Sequence, residues 1–237
     1  MKKKNHRMLL LGSLAVAVTL SISACGNKTS NLQKDHKATS ASEETSVSNV
    51  STVADNVKAG TDEIPMLTLP EGITGMKAET KPFKELRDLI IEDMVVPEDY
   101  YETTHYFYNY IDLNDDGKNE IFAMVTGPYT SGTGGSSALL LSENGGKLHI
   151  TQEFTLVNEP IIVSDTLDNG YHDLIIPYYS DNKTQYSVLK YNRQAYPNVP
   201  DGEIIDHLDG VKGKAIIAND RINEVQTGIM GLSLLDK

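Results

Sequence analysis

Cysteine is almost missing from this chain. Cys25 is the only one among 237 residues, so no intrachain disulfide can form, and the fold must be held by its core or by a bound ion. Positive charge is also short: 21 Lys and Arg stand against 33 Asp and Glu, a net charge of −12. Such a surface is repelled by nucleic acid and by anionic membrane surfaces, and it favours cations, cationic proteins or neutral glycans as partners. A long apolar run is lacking too. Met8–Leu20, the uncharged stretch near the N-terminus, is too short to cross a bilayer as a stable helix. Several catalytic signatures are missing as well. There is no zinc-protease helix motif, and the glycine-rich Gly132–Gly135 has no lysine of a phosphate loop. Ser136 and Ser137 lack the flanking glycines of a nucleophile elbow.

What is present begins with the leader. Lys2, Lys3, Lys4 and Arg7 precede Met8–Leu20, and Ile22-Ser23-Ala24-Cys25 closes the segment. A basic stretch, an apolar stretch and small residues ahead of a cysteine form the processing pattern of a bacterial lipoprotein. Residues 1–24 are therefore expected to be a signal peptide, with Cys25 carrying lipid on its sulfur and amine. Two acyl chains, palmitate among them, suffice for stable anchoring where one is marginal. The expected location is the extracytoplasmic face of the cell membrane. The competing reading is a plain secretory signal with a chance cysteine, or an uncleaved anchor. Removing the four leader positives leaves 17 against 33, a net charge of −16.

Residues 25–63 are rich in Ser, Thr, Asn, Lys and Ala. They cannot bury enough surface to offset their ordering entropy. The segment is expected to be a flexible tether, spanning roughly 35 Å as a random coil. Residues 64–237 then make one domain, expected as a monomer. Its class is α+β and mainly β. Thr80 caps a predicted helix with Pro82 in its first turn, and Phe83, Leu86, Leu89, Ile90 and Met94 recur at helical spacing up to Pro97. Strands are predicted at His105–Asp112, Glu120–Thr126, Ala138–Ser142, Leu148–Leu156, Ile161–Ser164, His172–Tyr179 and Thr184–Tyr191. About seven strands at this spacing predict an antiparallel meander or small barrel-like sheet with one packed N-terminal helix. Ala215–Ala218 offers a further strand, and Ile222–Leu235 is weakly patterned.

One motif points to chemistry. Asp112, Asn114, Asp116 and Glu120 place side-chain oxygens at the first, third, fifth and ninth positions of a loop, with Gly117 at the sixth. Calcium takes hard oxygen ligands from a tightly curled backbone, and alternate residues of such a curl point inward. Gly117 supplies the turn, Lys118 offers its carbonyl, and Asp115 faces solvent. The predicted cofactor is one structural Ca2+ held by Asp112, Asn114, Asp116, Lys118 and Glu120. Position twelve is Ala123 where an EF-hand needs a bidentate Glu, and Ile121–Val125 reads as strand. A loop closed at the ninth position and leading into a strand resembles the calcium loops of FG-GAP and VCBS-type repeats. The competing reading is an Asp/Asn-rich turn without metal. Asp165–Asp173 aligns with Asp112–Glu120 without a gap, but Leu167 stands where Asn114 does, so this copy is expected to be a structural turn.

Further segments carry a second resemblance. Gly127-Pro128-Tyr129, Ser131–Ser136, Leu139–Leu141, Asn169–Leu174 and the run from Leu189 to Pro197, with the Asp112–Glu120 loop, resemble a group of small bacterial envelope lipoproteins of unassigned function. The likeness covers Tyr110–Pro200. Members of that group often carry a cysteine at each end of the Gly-Thr-Gly-Gly segment, where this chain has Ser131 and Ser136. The resemblance brings no activity with it.

Three functions stay in view. The first is a membrane-tethered, non-enzymatic binding module. The second is an envelope hydrolase acting on wall glycan through Asp112, Glu120 or Asp173, since glycoside chemistry needs two carboxylates. The third is an inhibitor of a cationic lytic enzyme such as lysozyme. His172 and Asp173 are adjacent in a strand and point to opposite faces, a poor dyad. Tyr106, Tyr108 and Tyr110 share a face that either contacts glycan or protein or lies under a helix; the second is favoured.

Overall fold

Among the described residues, the central apolar runs are strands buried on both faces. The computed structural model describes residues 64–180, 183–228 and 230–235. The expected signal peptide, Cys25 and the expected tether lie outside the described residues. Among the described residues twelve strands form: β1 Ile73–Gly75, β2 His105–Ile111, β3 Glu120–Thr126, β4 Ser131–Gly132, β5 Gly135–Asn144, β6 Lys147–Val157, β7 Ile161–Asp168, β8 Tyr171–Ser180, β9 Lys183–Leu189, β10 Glu203–Ile205, β11 Gly213–Ile217 and β12 Leu232–Ser233. Two α-helices, α1 Lys84–Asp93 and α2 Arg221–Thr227, and two short 3-10 turns accompany them among the same residues.

The seven expected strands are all present, but they do not make one meander or barrel. They divide into two open sheets. One is ordered β12-β2-β3-β5-β4, with β6 also paired to β5, and the other β1-β11-β7-β8-β9-β10. The chain changes sheet after β6, and its tail returns to both, giving β11 and β12. The alternation along each strand is the same in a barrel and in two stacked sheets, so the pattern alone does not separate them. The short strands β1, β4, β10 and β12 carry too few residues to show an alternation. α2 and β12 occupy the weakly patterned tail.

The sheets pack face to face over a shared core. Phe107, Phe122, Met124, Leu140 and Phe154 come from one sheet, and Ile161, Val163, Leu174, Ile176 and Leu189 from the other. The neighbours of these residues face outward into second cores. Ile121, Ala123, Val125, Leu139 and Leu141 meet α1 through the fully buried Leu86 and Ile90. Ile162, Ile175, Val188 and Ala215 form a third core with Ile73 and Leu208. Period-two alternation with both faces buried explains why these segments read as continuous apolar runs.

The helix begins later than expected. Thr80 is not its cap: Phe83 holds that position in extended geometry and makes no side-chain cap. Pro82 favours an extended residue before it, and the tyrosine stripe fixes the same stretch. The Tyr106 hydroxyl accepts from the Phe83 N–H at 3.1 Å, and the Tyr108 hydroxyl donates to the Lys81 carbonyl at 2.9 Å. Tyr106 and Tyr108 are buried beside α1, and only Tyr110 is exposed. The stripe is therefore mostly a packing surface.

Candidate metal centre

The segment linking β2 to β3 closes on its own amides. Asp112 Oδ1 accepts from the N–H groups of Asn114 and Asp116, both at 3.2 Å, and Oδ2 accepts from Gly117 at 2.8 Å. Asn114 Oδ1 accepts from Asp116 at 3.1 Å, and Asp116 Oδ1 from Lys118 at 2.8 Å. Glu120, the first residue of β3, reaches back to accept from Leu113 at 3.0 Å through Oε2. Asp115 and Gly117 adopt left-handed backbone, with φ of 58° and 81°. A Cβ on Gly117 would meet nothing within 4 Å, so the glycine is there for its angle and not for space.

Leu113 anchors the curl. Its side chain is fully buried in the core between the sheets, while its neighbours face the loop. This pins one end of the carboxylate cluster to the core between the sheets.

The loop's charges are set by opposing effects. Burial would raise the Asp112 carboxyl, but the N–H groups of Gly117, Asn114, Asp116 and Asp115 outweigh it and hold the acid below its ordinary range. Glu120 is pushed up, chiefly by burial; the Leu113 N–H pulls it down and the charges of Asp116 and Asp112 add to the rise. The carboxylates of Asp112, Asp116 and Glu120 thus repel one another, and a cation relieves that repulsion.

The donor set suits calcium in kind: hard oxygens from Asp112, Asn114, Asp116 and Glu120, with the Lys118 carbonyl on the same curl. Among the described residues, no group of three His, Cys, Asp or Glu converges as a metal site. The loop's oxygens are turned onto its own amides, and Asn114 Nδ2 donates to Asp116 Oδ2 at 3.3 Å. Filling the loop therefore requires a modest inward turn of these side chains.

The degenerate copy Asp165–Asp173 has a different shape. Its first residues belong to β7, and Asn169-Gly170 makes a tight hairpin with φ of 53° and 85°. The two copies touch. The Leu113 carbonyl accepts from the His172 N–H at 2.7 Å, Asn114 Nδ2 donates to the Tyr171 hydroxyl at 3.3 Å, and His172 Nε2 lies 3.2 Å from Asp115 Oδ1. Asp115 is otherwise exposed, as expected. Sequence reasoning noticed the echo but not that its halves pack together. His172 and Asp173 do point apart, since Asp173 is buried toward Ile175 and Val188.

The glycine-rich segment is the turn between β4 and β5. Ser131 and Ser136 face each other across it, with their hydroxyl oxygens 2.9 Å apart. A Cβ on Gly135 would lie 2.6 Å from the Leu156 backbone, so close approach of two strands requires that glycine.

No family model matches this chain, and neither a curated protein nor a solved structure is detectably similar to it.

Proposed function

We propose that this chain is a lipid-anchored extracytoplasmic binding module whose β-rich domain is completed by one calcium ion at Asp112–Glu120. The observation that carries the proposal is the loop itself: Asp112, Asn114, Asp116 and Glu120 curl around one backbone turn, fixed from below by buried Leu113. Calcium would neutralise the mutual repulsion of the carboxylates and brace β2 against β3, where no disulfide is available. Extracellular sites of this kind need only weak affinity, because the ion is plentiful there. The backbone amides that hold the Asp112 carboxyl below its ordinary range keep it charged, which suits a cation better than proton donation to glycan. The anchor part of the proposal rests on the Ile22–Cys25 pattern and the basic, apolar leader before it. The acidic surface favours a cationic partner.

Calorimetric titration with calcium chloride tests the ion. One saturable site, lost in Asp116→Ala, is expected; absence of binding to the wild-type protein overturns the metal proposal. Labelling growing cells with radioactive palmitate tests the anchor. Label that persists in Cys25→Ser contradicts it.

A further inference from the structure

Asp173 is a carboxylate with one oxygen left over. It sits in β8 on the outer face of its sheet, only 2% exposed, and its buried Oδ1 has no hydrogen-bond donor. The Asp168 carboxyl adds to the effect of burial in disfavouring the charged form of Asp173. An unsatisfied buried carboxylate oxygen is costly unless a donor or cation arrives.

Asp173 lines a cavity of about 490 Å³, within the range of small-molecule sites. Ile175, Val188 and Ile205 give the cavity apolar surface, and Asp165, Glu203 and Asp209 add carboxylates at its walls. Two lysines, Lys190 and Lys212, stand against these four acids. Lys190 pairs with Glu203 at 2.8 Å, so its charge is shared between Glu203 and Asp173. The field inside the cavity is negative while much of its lining is apolar.

We propose that this cavity binds a small organic cation, a primary ammonium carried on an apolar body, with Asp173 as the ion-pairing group. A bare metal ion fits less well. No three His, Cys, Asp or Glu converge on one point among the described residues, and an ion would leave the apolar wall unused. An ammonium donates three N–H bonds. Its charge pairs with Asp173, and a small turn of that side chain toward the cavity brings the buried Oδ1 to one of these N–H groups. The apolar body covers Ile175 and Val188. The inference rests on the binding-module reading but not on calcium at Asp112–Glu120.

The test is an amide NMR titration of the full chain with benzylamine, benzyl alcohol and calcium chloride as separate probes. Benzylamine is expected to give saturable shifts at residues 173–176 and 186–190. Benzyl alcohol, the neutral isostere, should give none. Asp173→Asn should weaken benzylamine by about tenfold or more, the loss of one charge-assisted hydrogen bond. The proposal is overturned if benzylamine causes no saturable shift, if the alcohol binds as well, or if Asp173→Asn binds equally. If Asp173→Asn perturbs the spectrum globally, the wild-type comparison of amine with alcohol decides alone. Loss of the amine response with calcium shifts intact at Asp112–Glu120 removes this inference and leaves the calcium reading standing.

Discussion

The His172 backbone N–H donates to the Leu113 carbonyl across 2.7 Å, joining the β2–β3 loop of one sheet to the β7–β8 hairpin of the other. The two echoing segments therefore form one end of the sandwich. Order in the candidate metal loop depends on the inter-sheet core, and the converse holds as well.

That coupling makes Leu113 a critical anchor. Leu113→Ala removes a fully buried side chain beneath the loop, and is expected to cost about 2–5 kcal/mol. It should also weaken calcium, because the curl loses its floor. Urea unfolding with and without calcium measures both. A loss of stability with calcium affinity unchanged would separate the loop from the core.

The Ser131–Ser136 pair offers a second check. The residues are direct partners across β4 and β5, with hydroxyl oxygens 2.9 Å apart, and opposed antiparallel residues have Cα atoms about 4.5–5.5 Å apart, within the range a disulfide spans. Ser131→Cys with Ser136→Cys, in a Cys25→Ser background, should oxidise spontaneously. The small loop it closes limits the gain to about 2 kcal/mol. Thiol counting and melting of oxidised against reduced protein decide the matter. A pair that stays reduced in air contradicts the register.

Asp173 predicts a pH dependence. Burial first, then the Asp168 carboxyl, push it up to about 7, with Lys190 pulling the other way. An unfolded aspartate titrates near 3.8. Between these values the folded state holds more protons than the unfolded one, so stability from this group falls as pH rises through the window. Asp173→Asn should remove that fall and unfold at higher urea than wild type at pH 8. Parallel pH profiles for the two proteins would rule out a raised acid at this position.

Much of the fold was legible in the chain. β3 is bounded as its apolar run and Asp112–Glu120 spacing indicate, and Gly117 marks the turn. The helix start was misread because Thr80 and Pro82 are good local signals, yet Tyr106 and Tyr108 hold that stretch extended from another part of the chain. Two sheets looked like one because inward alternation is the same in both arrangements. Asp173 gave no local sign either: its orphaned oxygen follows from strands far apart in sequence that bury the same face. The curl of the loop around Gly117 was visible from spacing, whereas its docking through Leu113 and His172 was not.

The most direct test of the account is the melting temperature of the protein in calcium against chelator, for wild type and Asp116→Ala. At calcium about a hundredfold above Kd, one site adds about 2.7 kcal/mol, a rise of roughly 5–10 °C for a domain of this size. The account predicts that rise in wild type and its loss in Asp116→Ala. Equal melting in calcium and chelator, with Asp116→Ala unchanged from wild type, would contradict it.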